Sequence, residues 1–516
     1  MTIFVRPDAV PNQPPPLEAY DLFSENRPLA EAVDSPRARE LGVELGGEPL
    51  EWGRLANEHP PQLRTHDRFG RRIDEVEFHP AWHGLMELGV EYGVHALPWR
   101  EPGTHLLRAA LFMTLSQVEA GIGCPLSMTY AAVPALRTAE PELAAEWEPL
   151  LTALAYEPGL QPAAEKAGAL CGMAMTERQG GSDVRANLTR AEPTGDGDYV
   201  LTGHKWFCSA PMCDAFLVLA QAPGGLSCFL LPRVLPDGER NGLQLLRLKD
   251  KLGNRSNASA EIELDRAHAA LVGEEGRGVA TIIEMVVHTR LDCVLGSTAL
   301  MRRAVAEATH HAAYRSAFGR RLAEQPLMLN VLADLCVESE AATLTAVRLA
   351  RAFDDGEASF RRLATAVAKY WVCKRTPGLV AEALECLGGN GYVEESGLPR
   401  LFRESPLNSI WEGAGNVICL DVLRTLRAEP EGVDAFLAEL EPRFRPDVEE
   451  ALRGADEEGA RSVVETMAIA LQGTLLVRHS PPEVADAFLA RTGRAYGTLP
   501  RGLDLSAIVE RHRPRI

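Results

Sequence analysis

The chain of 516 residues is conspicuous first for what it omits. Its ten cysteines form no Cys-x-x-Cys pair, so the paired spacing of a zinc site is missing. There is no His-Glu-x-x-His, no Walker A glycine-lysine loop and no Gly-x-Ser-x-Gly, which removes three common hydrolase readings. His310 and His311 are adjacent, so on a helix they face different sides and cannot share a metal. Positive charge is short. Lys+Arg number 53 against 72 Asp+Glu, a net charge of −19, which argues against a surface coated in nucleic acid and leaves only a local basic patch. The opening "MTIFVRPDAVPNQPPPLEAYD" lacks the apolar core of a signal peptide, and no uninterrupted apolar run is long enough to span a membrane. A cytoplasmic protein without membrane association is expected. Cys293, Cys336 and Cys373 lie in apolar helical patterns and read as buried free thiols.

What is present is ordinary globular composition, 46% hydrophobic and 24% charged, with length for two to four domains. Residues 1–60 are rich in Pro and acid and predict an extended arm. Residues 61–170 carry helical periodicity, as in "GTHLLRAALFMTLSQVEAGIG". From 171 to 276 the period shortens to two. "GDGDYVLTGHKWFCSA" predicts strand, turn, strand, and "DAFLVLAQAPGGLSCFLLP" a hairpin about Gly224-Gly225. Residues 277–428 predict three long helices of a bundle. The third is expected to bend near Pro377 and stop at Gly388-Gly389. Residues 429–516 predict a further helical extension. Its 11 Arg stand against 16 Asp+Glu, and only "ERHRPRI" is locally basic.

Six short stretches carry chemistry, each beside a plainer alternative. "MTERQGGSD" sets hydroxyls at Thr176 and Ser182 beside two glycines, suited to a flavin edge or a phosphate; alone, it is a surface turn. "GHKWFCSA" offers aromatics and Ser209 on one strand, or a core aromatic pair. "LKDKLGNRSNASAEIEL" packs four charges into eight residues and reads as a solvated loop. "YRSAFGRRLAEQP" places Arg315 before Phe318-Gly319 and Gln325; an arginine fork suits pyrophosphate, or is a surface residue. "LGGNGY" is no Rossmann fingerprint, since no strand precedes it, and reads as a helix stop. "NSIWEGAGN" sets Glu412 between Trp411 and a Gly-Ala-Gly turn.

In this order the stretches resemble the acyl-CoA dehydrogenase family over about Gly103 to Leu426. The wording "KLGNRSNAS", "LGGNGYVEES" and "NSIWEGAGN", with the Pro-rich arm and extra tail, is similar to its AidB-type alkylation-response flavoproteins. The resemblance implies an α+β fold: an N-terminal helical domain, a middle antiparallel β domain, a C-terminal four-helix bundle and an extra helical segment. It implies FAD, contacted by Met175, Thr176, Ser182, Phe207, Cys208 and Ser209, by Arg315, Phe318 and Gln325 reaching a neighbouring subunit's cofactor, by Gly388 and Gly389, and by Ile410, Trp411, Gly413, Gly415 and Asn416. Phe207 would pack on the isoalloxazine and Ser209 lie near its N5 edge. Trp411 and Arg424 would line the substrate pocket.

Glu412 aligns with the family's catalytic base, which removes the α-proton of an acyl thioester. Burial must raise its pKa toward working pH for that role. Some relatives carry the base on the first long helix, where this chain has Thr289. Two positions depart from the family: Glu385 replaces a Gln near the pyrophosphate, and Trp411 replaces a Tyr and narrows the acyl channel. Three readings follow. The first is a tetrameric AidB-type flavoprotein with a weak dehydrogenase site. The second is an ordinary short- or branched-chain acyl-CoA dehydrogenase passing electrons to an electron-transfer flavoprotein. The third is a DNA-associated protector, whose weak double-stranded DNA contact would come from Arg511, Arg513 and Arg515.

Overall fold

The computed structural model describes residues 10–516 apart from 196, 492 and 494. The expected arm over 1–60 is corrected. Three helices, Arg27–Ala32, Pro36–Leu45 and Pro49–Glu58, occupy its second half, each with Pro in its first turn. Proline is tolerated there because the first helical N–H groups have no intrahelical partner. The prolines therefore start these helices. Leu22, Phe23, Leu29, Leu41 and Leu45 are buried beneath them. Before them the chain is irregular and lies on the end of the bundle, where Asn12 bonds both ways with the backbone of Ser316. The expected helical stretch 61–170 begins instead with a hairpin, β1 (Gln62–His66) and β2 (Arg72–Glu77). The helices Pro80–Glu91, His105–Ser116, Gly123–Leu136 and Pro141–Leu151 follow. Gly123–Leu136 is buried on nearly every side, as its all-round apolar sequence requires.

The β domain contains β3 (Cys171–Ala174), β4 (Arg190–Pro193), β5 (Asp198–Ser209), β6 (Ala215–Ala222), β7 (Gly225–Pro232), β8 (Leu243–Leu248) and β9 (Ser259–Val272). Pairings β6–β4, β4–β5, β5–β9, β9–β7 and β7–β6 close a ring, with β3 added to β6 and β8 to β9. Closure leaves β6 no free edge, and its run "AFLVLA" is buried throughout. The sheet is mainly antiparallel, but β3 and β4 each pair with β6 in parallel. The strand–turn–strand expected from Asp198 to Ser209 is one strand. Gly203 does not turn the chain. It sits at a register shift with φ +154°, where an added Cβ would strike Thr189.

The bundle is built from Gly278–Tyr314, Pro326–Asp354, Ala358–Cys386 and Gly415–Ala428. The third long helix runs through Pro377 and ends at Cys386, with Leu387 capping it and Gly388 beyond at φ +59°. The C-terminal residues add Pro430–Glu439, Arg445–Arg453, Ala460–His479, Pro482–Ala490 and Leu505–His512. Ala460–His479, with 20 residues and a window of mean hydropathy 1.2, is long and apolar enough to cross a membrane, but Arg461 and Glu465 interrupt its apolar run and 67% of that window is buried inside the protein.

Much of the basic cluster near residue 511 is paired within the fold. Arg511 pairs with Glu31 at 2.6 Å and Glu340 at 3.0 Å, Arg513 pairs with Glu510 at 2.7 Å, and the N–H of Arg515 donates to Glu25. The partners of Arg511 and of the Arg515 N–H are distant in sequence, whereas Arg513 pairs within its own helix end. The buried carboxyl of Glu340 would be raised by burial, but His512 and Arg511 pull it down to about 2. Arg302 closes the same corner by donating to the carbonyls of His512 and Glu25, both at 2.7 Å.

Candidate active site

The sequence "LNSIWEGAG" makes a short 3-10 turn, Leu407–Ser409, and then re-enters a helix at Gly415. Between them Glu412 has φ +59° and Gly413 φ +109°. A left-handed Gly is at ease; a left-handed Glu must be held by its surroundings. Two cations do this. Arg290 Nε donates to the carbonyl of Glu412 at 3.1 Å, and Lys369 Nζ donates to the carbonyl of Gly413. Asp421 fixes Arg290 at 2.6 Å and accepts a two-pronged bond from Arg362, both contacts 3.0 Å. The helices Gly278–Tyr314 and Ala358–Cys386 thus reach the turn through its backbone and leave the carboxylate itself lightly bonded. Burial pushes the Glu412 carboxyl above its ordinary range, opposed by a hydrogen bond from Thr289 and by the charges of Arg290 and Lys369. Thr289, the residue at the alternative base position, is a partner of the acid. Asp292, one turn on, is committed to a buried pair with Arg108. The half-buried Trp411 donates from Nε1 to Asn408 at 2.9 Å, and Ile410 is exposed.

The second edge comes from the β domain. The N–H of Trp206 donates to the carbonyl of Thr176 at 2.8 Å, which lays the "MTER" loop along β5. Met175 and Thr176 are half-buried and Ser182 is exposed. Phe207 leaves 48% of its surface open, a large amount for an aromatic at the end of a core strand. Cys208 is buried, its thiol pushed up to about 12 by burial. Ser209 pairs across the ladder with Ser259, their Oγ atoms 3.2 Å apart. Cys124 links the two edges. Its buried thiol is pushed up to about 12 by burial, lies within hydrogen-bonding reach of Ser209 and Asn257, and feels the charge of Glu412.

Sequence reasoning missed Glu177. It is fully buried and accepts from Lys205 at 2.8 Å, from the N–H of Leu188 at 2.7 Å and from the Thr189 hydroxyl at 2.6 Å. Burial would raise this carboxyl, but these donors pull it down to about 2. It shapes the loop that displays Thr176 and Ser182. Lys205 at an inward position of a period-two strand was the available signal, since a buried lysine needs an acid.

The loop from Leu248 to Ala258 is likewise not the solvated loop its charges suggested. Asn254, Ser256 and Asn257 are buried. Asn254 donates to Glu404 and Ser256 to Glu119, so the polar residues of the loop satisfy two buried carboxylates.

The remaining expected residues fall on a third grouping. Arg315 donates to the carbonyl of Asn12 at 2.7 Å and Gln325 to that of Ala317 at 2.9 Å, while Phe318 is 99% exposed at φ +51°. A Cβ added at Gly388 or Gly389 would meet nothing within 4 Å, so this backbone faces open space; Asn390 beside them donates to Gln13. The arm therefore ties residues 315–316 to residue 390. Gly415 packs against Lys374, and Asn416 is exposed and accepts from Arg461 of the C-terminal extension at 2.9 Å. The Arg424 side chain is 75% exposed and pairs with Asp421, the same carboxylate that holds Arg290. Among the described residues no cluster of His, Cys, Asp or Glu is arranged to hold a metal.

Comparison with known proteins matches three family profiles in tandem. These are the adaptive response protein AidB N-terminal domain over 12–158, the acyl-CoA dehydrogenase middle domain over 172–267 and the acyl-CoA dehydrogenase C-terminal domain over 276–427. The chain is 47% identical to the putative acyl-CoA dehydrogenase AidB of Escherichia coli K12 over 502 residues, covering 92% of this chain and 93% of that one. Its fold superposes on ACDH-11 of Caenorhabditis elegans in complex with C11-CoA with a TM-score of 0.82 at 27% identity, covering 99% and 95%. A Bacillus anthracis acyl-CoA dehydrogenase complexed with FAD matches with a TM-score of 0.66 at 18% identity, covering 90% and 84%.

Proposed function

The chain belongs to the acyl-CoA dehydrogenase family, in its AidB branch, and from that premise we propose that Glu412 takes the α-proton of an acyl-CoA thioester at an FAD site. The cofactor of the family is FAD, which when bound supplies the acceptor for the hydride leaving the β-carbon. The described residues fit it. An open aromatic at Phe207, a hydroxyl at Ser209 and glycines at 388 and 389 with room beside them suit a flat ring system and a pyrophosphate. Thr176 and Ser182 stand on the same loop edge, and Arg315 and Gln325 flank the exposed Phe318 at the bundle end, where this reading places a second subunit of a tetramer.

One observation carries the reading. Glu412 is an acid whose two neighbouring cations are spent on main-chain carbonyls and whose carboxyl is met by the Thr289 hydroxyl, so burial prevails and raises its proton affinity as a base requires. The proton moves from the α-carbon to a Glu412 carboxylate oxygen. Trp411, pinned by Asn408, forms the wall beside it and slows entry of longer chains, which gives the weak activity in this reading. An electron-transfer flavoprotein is the fitting acceptor. The DNA-associated reading is weakened because the Arg511 and Arg513 guanidinium groups are paired with acids, while Arg515 gives only its backbone N–H to Glu25.

The test is anaerobic titration of the purified yellow protein with a panel of thioesters, read at the flavin band. Because the C. elegans relative was solved with C11-CoA, the panel includes medium chains. Bleaching by at least one thioester is expected. A protein that takes up no FAD, or whose bound FAD no thioester bleaches, refutes the proposal.

A further inference from the structure

The loop first read as solvated contains an uncommitted cation. Lys251 Nζ donates to the carbonyl of Asn257 at 2.7 Å and to Ser259 Oγ at 3.1 Å. Ser259 lies in register with Ser209 on the neighbouring strand, Oγ to Oγ 3.2 Å. Three side chains therefore make a continuous hydrogen-bonded row from the loop to the end of β5. An ammonium has donors only, so Ser259 must accept from Lys251. Either hydroxyl can donate across the Ser209–Ser259 pair. In the arrangement where Ser259 gives its proton to Ser209, the Ser209 O–H is left to give, outward or to the neighbouring Cys124 thiol. A chain of bonds pointing one way polarises each member, and it does so more strongly away from water. Among the described residues no carboxylate pairs with the ammonium: the buried acids of this region, Glu119 and Glu404, are bonded by Ser256 and Asn254.

We propose that Lys251 acts through Ser259 on Ser209 as a positioning residue for the flavin, turning the Ser209 hydroxyl into a polarised donor at the flavin edge and raising the reduction potential of bound FAD. The proposal rests on the reading that FAD occupies this edge. Its physical basis is that reduction adds negative charge to the isoalloxazine, and a nearby cation with an aligned donor row stabilises that charge in a site shielded from water. The groups facing Lys251 are Cys124 on the helix Gly123–Leu136, Glu119 before that helix and Glu404 at the end of Leu398–Glu404. Burial pulls Lys251 down to about 8, against the pull of these three toward the cation. Glu404 is itself pushed up to about 7 by burial and by Glu119.

The experiment measures the midpoint potential of FAD-loaded parent, Lys251→Met, Lys251→Arg and Ser259→Ala against a reference dye, with no thioester present. Lys251→Met and Ser259→Ala are expected to lower the two-electron reduction equilibrium about tenfold, which is ~30 mV. Lys251→Arg, which keeps donors and charge, restores most of it. The gap between parent and Lys251→Met narrows as pH rises past the Lys251 value, because the parent then loses its cation as well. Should Lys251→Met fail to fold, Ser259→Ala decides, since it cuts the row and leaves the lysine in place. Unchanged potentials in flavin-loaded variants overturn the inference, and a parent still bleached by thioesters then leaves the proposed function standing. A parent that binds no FAD overturns both.

Discussion

Glu177, at the entrance to the β domain, and Glu412, before the last helix of the bundle, are both glutamates drawn into the protein near lysine, and they end in opposite states. Five donors converge on the Glu177 carboxylate: Lys205, the amide of Gln179, the N–H groups of Leu188 and Thr189, and the Thr189 hydroxyl. Its carboxyl falls to about 2, against the upward push of burial. Around Glu412 the cations Arg290 and Lys369 donate to main-chain carbonyls, and burial prevails. The aim of the donors, more than their number nearby, separates a strut from a base. Donors on the carboxylate lock in its charge, whereas donors on the backbone fix its place and leave its proton affinity high.

The contrast can be broken at either end. Glu412→Gln keeps the side-chain shape and should reduce flavin bleaching by acyl-CoA by about a hundred- to ten-thousand-fold, measured by anaerobic stopped flow, with FAD retained. Parent-like reduction by this variant would place the base elsewhere. Lys205→Met leaves Glu177 buried without its cation and should cost about 3–5 kcal/mol of unfolding free energy in urea, because a buried pair broken on one side leaves an unpaired charge. A loss no larger than that of a surface substitution would show that the remaining donors suffice.

The pH dependence of stability sharpens the comparison. The Glu177 carboxyl is depressed, so its stabilisation is present above the ordinary unfolded glutamate value and is lost as pH falls toward about 2. Glu412 is raised, so its contribution has the other sign: present in acid and lost as pH rises through its folded value. Glu412→Gln should therefore be at least as stable as the parent at neutral pH, with the difference closing on acidification, whereas Glu177→Gln should be less stable at neutral pH. The smallest effect is expected from Lys369→Met. It removes a charge that opposes the rise of the Glu412 carboxyl, so the limb of the reduction rate governed by that base should move to higher pH.

The long helices and the Gly224-Gly225 hairpin were legible because their signals are local. Apolar spacing sustained from Val279 to Tyr314 and a double glycine between apolar runs need no distant partner to be read. The turn at Glu412 was legible through Gly413 and Gly415, while the role of the acid came from the resemblance alone. The failures share a cause. The arm was misread because prolines at 28, 36 and 49 begin helices there, and only burial of Leu29 and Leu41 shows it. The loop at 248–258 was misread because its Asn and Ser answer Glu119 and Glu404, which come from elsewhere in the chain. Arg511 looked available because Glu31 is 480 positions away. Charge in a sequence shows what must be satisfied and leaves open which partner does it.

The corner that joins Glu25, Glu31, Arg302, Glu340 and residues 511–515 also sets an order on biosynthesis. Residues 25 and 31 emerge from a ribosome early, and the arginines they bind emerge on the order of a minute later at ordinary elongation rates. Until then Glu340 lacks both His512 and Arg511, so the helix Pro326–Asp354 carries an acid in its interior without its cations. The bundle should thus remain loosely closed during translation and tighten only once residue 512 is out. A nascent chain stalled short of that point would be the form most exposed to proteases and most in need of a chaperone.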